Sequence, residues 1–98
     1  MVSISDRSGL VKFIKGLKKL FSLEIVSTPG TADYLRKSGI KVIGVEEITG
    51  HSKLFGIRIK MIHLPIFAAI LADQNNPEHR QQLKKLGVKP FDMVVVNL

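Results

Sequence analysis

The stretch LEIVSTPGTADYLRKSGIKVIGV, running from Leu23 to Val45, decides the fold. Leu23 to Ser27 is a short β-branched run that stops at Ser27-Thr28-Pro29-Gly30, which predicts a strand ending in a tight loop. A helix is expected to follow at once. Thr31 to Lys37 carries Ala32, Leu35 and a basic last turn, Arg36 and Lys37, and Gly39 stands where a left-handed C-terminal cap belongs. Lys41 to Val45 supplies the next strand.

Outward from this unit the pattern repeats. Val2 to Ser5 is β-prone, and Ser5 or Asp6 can cap a helix whose apolar residues Leu10, Phe13, Ile14, Leu17, Leu20 and Phe21 recur at helical spacing. Lys12, Lys15, Lys18 and Lys19 fill most of the remaining surface of that helix and read as its solvated face. Beyond Val45, Glu46 to Lys60 is less regular, holds Gly50 and Gly56, and is expected to be a functional loop. Pro65 to Ala72 is expected to be a buried helix. Asn75, Asn76 and Pro77 interrupt it, and His79 to Leu86 forms a further helix closed by Gly87. Met93 to Val96 is consecutively apolar, the pattern of a central parallel strand covered on both faces. Alternating strands and helices joined by right-handed crossovers predict an α/β domain with a mainly parallel sheet.

Bulk properties agree with one small soluble domain: 98 residues, 45% apolar and 23% charged. There is no cysteine, which excludes disulfides, thiolate metal sites and thiol nucleophiles. His51, His63 and His79 are scattered without metal-ligand spacing, and no Gly-x-Ser-x-Gly elbow occurs, so neither a metal nor a serine nucleophile is expected. Met1 to Ser8 has no secretory pattern. Met61 to Ala72 is too short for a span of about 20 apolar residues. A cytoplasmic location and no membrane partner are the resulting expectations. Fifteen Lys and Arg against eight Asp and Glu give a net charge of +7, which favours anionic partners. The lysines are spread over several elements and only six residues are aromatic, so nucleic acid is not expected.

In open α/β sheets ligands settle beyond the carboxyl ends of the strands. Here those loops are Ser5-Asp6-Arg7-Ser8-Gly9, Thr28-Pro29-Gly30-Thr31 and Asn97. The second places small hydroxyl residues and a glycine directly before a helix, where free N–H groups and the positive dipole end favour a phosphate, though an ordinary N-cap turn has the same spacing. Arg58 and Lys60 alternate, so an extended backbone would point both cations at one anionic group.

Five segments taken in order carry a resemblance: Ser3-Ile4-Ser5-Asp6-Arg7-Ser8-Gly9-Leu10-Val11, Ser27-Thr28-Pro29-Gly30-Thr31-Ala32, Ile48-Thr49-Gly50, Arg58-Ile59-Lys60-Met61-Ile62-His63 and Val94-Val95-Val96-Asn97-Leu98. They are similar to S-V-S-D-K-T-G-L-V, S-T-G-G-T-A, T-G, R-V-K-T-L-H-P and V-V-V-N-L of the inosine-monophosphate (IMP) cyclohydrolase domain. That domain is the front part of the bifunctional purine-biosynthesis enzyme (AICAR transformylase/IMP cyclohydrolase) and belongs to the methylglyoxal-synthase-like superfamily. The resemblance implies a three-layer sandwich around a mainly parallel sheet, with residues 1–98 as a single, truncated or half-length domain of this type. It also implies contacts to a purine ribonucleotide monophosphate from Ser5, Asp6, Arg7, Thr28, Gly30, Thr31, Arg58, Met61 and Asn97. Lys60 is implied as the catalytic lysine, with no cofactor, and a homodimer is expected.

The family reaction closes the formamido group of formyl-AICAR onto a ring amine and loses water. Arg7 stands where the family has lysine, Pro29 where it has glycine, Met61 where it has threonine and Leu64 where it has proline. A thioether at Met61 cannot donate the hydrogen bond a threonine would. The family domain runs on past the Asn-Leu pair into a Tyr-Pro-Phe motif and later catalytic residues, so binding with little turnover is expected of residues 1–98. A regulatory nucleotide-binding module of the same superfamily is the alternative. Methylglyoxal synthase itself fits less well, for want of a Gly-Asp-Gln stretch.

Overall fold

The computed structural model describes residues 1–50 and 63–97. The chain divides into two compact units, Met1–Gly44 with Val95–Leu98, and Val45–Val94. The first unit holds β1 (Val2–Ser3), α1 (Leu10–Leu20), β2 (Val26–Ser27), α2 (Pro29–Lys37), β3 (Ile43–Gly44) and β4 (Val95–Val96), and the second holds α3 (Val45–Thr49), α4 (Leu64–Leu71) and α5 (Pro77–Leu86).

The four strands form one sheet in the order β3-β2-β1-β4, and every pairing is parallel. This is the α/β class that the alternation predicts. Val2 sits between Ser27 and Val95, and Val26 pairs with Ile43. The path β1 to β2 to β3 steps steadily in one direction, so right-handed crossovers place α1 and α2 on the same face of the sheet. Their apolar stripes close over it: Leu10 and Ile14 of α1, and Ala32 and Leu35 of α2, are buried with Val2, Ile25, Ile40 and Val42 in one cluster.

Each strand pairs over two residues, shorter than the runs suggest. For β1 the reason is visible. After Ser3 the backbone hands its hydrogen bonds to side chains: Ile4 to the Thr31 hydroxyl and Ser5 to the Asn97 amide. Met93 to Val96 is not a central, doubly covered strand. Only Val95 and Val96 pair, on β1 at the end of the strand order, and Met93 and Val96 are each about half exposed. An apolar run reports burial demand but not rank in the sheet, and here the chain returns outside β1.

Of two helix ends with an expected cap, the start of α1 differs and the end of α2 agrees. Neither Ser5 nor Asp6 caps α1, which starts behind Gly9 at φ 73° with no side-chain cap. Asp6 is used one turn earlier, its Oδ1 accepting from the Ser8 N–H at 3.1 Å and the Ser8 hydroxyl at 2.8 Å. At the other end of α2, Gly39 at φ 79° completes a Schellman closure, donating to the Arg36 carbonyl while Ile40 donates to that of Leu35.

In the second unit, residues 45–49 are helical where a loop is expected, and residues 51–62 lie outside the described residues. Helix α4 buries Ile66 and Ala69, while Leu64 and Leu71 are largely exposed, so it is a one-faced helix and not a fully buried one. Asn76 and Pro77 begin α5 instead of merely interrupting α4. The Asn76 Oδ1 accepts from the N–H groups of Glu78 and His79, and Pro77 occupies the first turn, where no donor is required. Gly87 closes α5 at φ 70°. No helix among the described residues is long and apolar enough to cross a membrane.

Leu35 is fully buried between α2 and the sheet cluster. Leu35→Ala is expected to lower the unfolding free energy by about 2–5 kcal/mol, read from the urea midpoint at unchanged slope.

Candidate functional site

Strand order reverses direction at β1, because β2 and β3 lie on one side of it and β4 on the other. A crevice at such a switch point, beyond the carboxyl ends of the strands, is where open parallel sheets bind ligands. The loops that follow β1, β2 and β4 meet there, and all three belong to the first unit.

Thr31 is the joint between two of these loops. It is 1% exposed, its hydroxyl donates to the Ile4 carbonyl at 3.0 Å, and it accepts from the Ile4 N–H at 3.2 Å. The side chain therefore substitutes for a strand neighbour and fixes the end of β1 to the first turn of α2. The Thr28 Oγ1 stands 3.4 Å from Ser3 Oγ and 3.5 Å from Thr31 Oγ1, so its one hydrogen can go to either, and three hydroxyls gather in one place.

Asn97 joins the third loop to the first. Its Oδ1 accepts from the Ser5 N–H at 3.0 Å and the Ser5 hydroxyl at 3.1 Å, and its Nδ2 donates to the Asp6 carbonyl at 3.1 Å. Residues 92 positions apart are thus stapled across the switch point. The second Nδ2 hydrogen has no acceptor among the described residues.

The mouth of α2 carries the electrostatics. Thr28 is its N-cap with no side-chain cap bond, and Pro29 at the first helical position has no N–H to offer. The N–H groups of Gly30 and Thr31 have no acceptor within the helix. Arg7 lies against the Gly30 side of this first turn. Its Nη2 stands 2.8 Å from where a Cβ on residue 30 would lie, so only glycine admits the guanidinium this close. Its Cζ is 5.8 Å from the centre of the Tyr34 ring, and its Nε is buried without a hydrogen-bond partner among the described residues. A cation against the first turn of a helix, where the dipole end is positive and the first N–H groups lack helical acceptors, concentrates positive charge and donors. An anion is the chemical complement.

Asp6 lies at the rim, fully exposed. The Ser8 hydroxyl and then the Ser8 N–H, both donating to it, hold its carboxyl below the usual carboxylate range, against a small opposing effect of desolvation. Among the described residues no three His, Asp or Glu side chains converge as a metal site would require.

The structure brings together Ser5, Asp6, Arg7, Thr28, Gly30, Thr31 and Asn97. Arg58, Lys60 and Met61 lie outside the described residues. Two participants were not singled out from sequence. Ser3 joins the hydroxyl cluster, and Tyr34 faces Arg7. The separation of four residues between Gly30 and Tyr34, which puts both on one helix face, was the signal available for the second.

The family model described as MGS-like domain matches residues 9–98. The bifunctional purine biosynthesis protein PurH of Bacillus thuringiensis subsp. konkukian (strain 97-27) is 42% identical over 98 residues, all of this chain and 19% of that protein. PurH of Bacillus cereus (strain B4264) gives the same identity and coverage. The chain thus spans about a fifth of the length of these curated relatives. A solved structure described as the crystal structure of ForH superposes with a TM-score of 0.82 at 25% identity, covering 100% of this chain and 52% of that one.

Two outcomes follow from the joint at Thr31 and the turn at Asp6. Thr31→Val keeps the shape but leaves the Ile4 N–H and carbonyl without their partner. It should cost about 1–3 kcal/mol of stability by urea denaturation. The Asp6 pKa is lowered in the folded state, so its contribution is present above the unfolded value, 3.8, and is lost as pH falls through the folded one. A pH titration by NMR should therefore show Asp6 protonating below that value, with the Ser8 amide resonance moving in the same step.

Proposed function

Because the chain belongs to the MGS-like domain family, we propose that the switch-point crevice binds a purine ribonucleoside monophosphate and that the protein serves purine nucleotide biosynthesis. The observation that carries this reading is the Arg7 guanidinium packed against Gly30 in the first turn of α2, the turn whose N–H groups have no acceptor within the helix. The similarity to PurH along the whole chain supplies the purine.

On this reading the phosphate sits against Arg7 and the first turn of α2. The Thr28 hydroxyl is within reach, while that of Thr31 is committed to Ile4 and contributes only its N–H. Ser5 and Asn97 hold the first loop around the nucleotide, and the free Nδ2 hydrogen of Asn97 is offered to the base or its open-ring precursor. The proposed reaction is ring closure of formyl-AICAR to IMP. It requires the attacking nitrogen and the formyl carbon to be held in attack geometry, with a donor where charge develops on the carbonyl oxygen and that oxygen leaving as water. Lys60 is proposed as that donor, with Arg58 and Met61 as further contacts. A homodimer is proposed as well, through the exposed apolar side of α4. There a hollow of about 460 Å³ is lined by Leu64, Ala68, Leu71, Leu83 and Leu86.

Calorimetry with inosine monophosphate tests the site. Binding with a shallow salt dependence is expected, as for one phosphate and unlike the steep slope of a nucleic-acid contact. Arg7→Gln should weaken it about tenfold or more. Equal affinity for inosine and its monophosphate would reject the phosphate reading. Incubation with formyl-AICAR, with Lys60→Ala as control, decides between ring closure and a regulatory module that binds without turnover. Sedimentation of a clean monomer at high concentration would remove the dimer.

A further inference from the structure

Arg7 is held where elementary electrostatics would not leave it. The N-terminus of α2 carries a partial positive charge, and a guanidinium on a long side chain gains by swinging away into water. Among the described residues no carboxylate pairs with it. Two features oppose the escape. Gly30 leaves room for the guanidinium, and the Tyr34 ring stands 5.8 Å from its Cζ. Room permits a position without enforcing it, so the ring is the attraction that remains. An aromatic face within about 6 Å of a guanidinium is in the attractive range.

Tyr34 is well placed for this. It lies four residues after Gly30, on the same face of α2, so helix backbone sets the distance between the ring and the free N–H groups. It is 38% exposed, so the ring lies at the surface where the Arg7 loop crosses the helix and is not part of the core cluster. The Arg7 Nε is buried without a partner, so the side chain is seated against the helix even though that nitrogen gains no hydrogen bond there.

We infer that Tyr34 is a positioning residue: its ring seats the Arg7 guanidinium over the first turn of α2 and thereby sets the phosphate affinity of the crevice. The inference rests on the phosphate reading above and adds to it the residue that preorganises the cation. Without the ring, Arg7 must be recovered from solvent each time an anion binds, and affinity falls by the population of the seated state.

The test uses the full 98-residue chain, with Tyr34→Phe and Tyr34→Leu. Phenylalanine keeps the ring face, and leucine keeps apolar bulk without it. Affinities for inosine monophosphate and for inorganic phosphate are measured by calorimetry, and the Arg7 Hε resonance is followed by NMR for its ring-current shift. Expected are a loss of about three- to tenfold for Tyr34→Leu with both ligands, little change for Tyr34→Phe, and disappearance of the ring-current shift in Tyr34→Leu alone. Unchanged affinity in a folded Tyr34→Leu overturns the inference, as does an equal loss in Tyr34→Phe, which would assign the effect to the hydroxyl. Absence of any ring-current shift in the unaltered chain overturns the seating itself, whatever binds. A normal shift with no anion binding shows that the pair exists while the phosphate reading, and the role given to the pair, is wrong.

Discussion

The hydroxyl of Thr31, donating to and accepting from the backbone of Ile4, is the contact on which the candidate site depends. It ends β1 by taking over the hydrogen bonds a neighbouring strand would have supplied. It also fixes the first turn of α2 against that strand end. Because Thr31 is buried, both bonds are made away from competing water, where an unmade one is costly. The loop after β1 then has a defined starting point, and Arg7, three residues on, can be delivered to the helix mouth. A residue that composition would assign to nucleotide contact is in the first place a structural member, and the site is built on top of it.

How much of this could be read beforehand depended on the kind of signal. Strand-helix alternation between Leu23 and Val45 carried the parallel α/β class, because punctuation by Thr28-Pro29-Gly30 and Gly39 fixes where elements stop. The convergence of the three loops was legible too, since parallel strands put their carboxyl ends on one edge. Strand rank was not. Met93 to Val96 looks central because it is apolar, yet its place at the sheet margin follows from where the chain returns, which no local pattern encodes. Capping was legible at α2's far end and illegible at the start of α1. Asp6 has the chemistry of a cap, but Ser8, two residues away, competes for its carboxylate and wins. The asparagine-proline pair at residues 76 and 77 shows the converse, since residues that interrupt one helix are the ones that start another.

The departures from the family pattern gain meaning in the same way. Arginine at position 7 is a planar fork where lysine would be a point charge, so it can lie across a glycine and face a ring. Proline at position 29 surrenders a donor at the helix mouth, and the guanidinium adds donors there.

Finally, β1 gains its second neighbour only when Val95 donates to the Met1 carbonyl, at 2.8 Å, across an intervening excursion that includes the whole second unit. During synthesis the ribosome releases the first 44 residues long before that partner exists. The nascent sheet can assemble β1, β2 and β3 early, but it does so with one margin of β1 open, and Ser5 must wait for Asn97. Closing so long a loop costs little more than closing one half its length, about 0.6 kcal/mol, but it delays the event. The crevice is therefore the last part of the first unit to be completed, and a nascent chain would reach its packed sheet core before its loops had closed on one another.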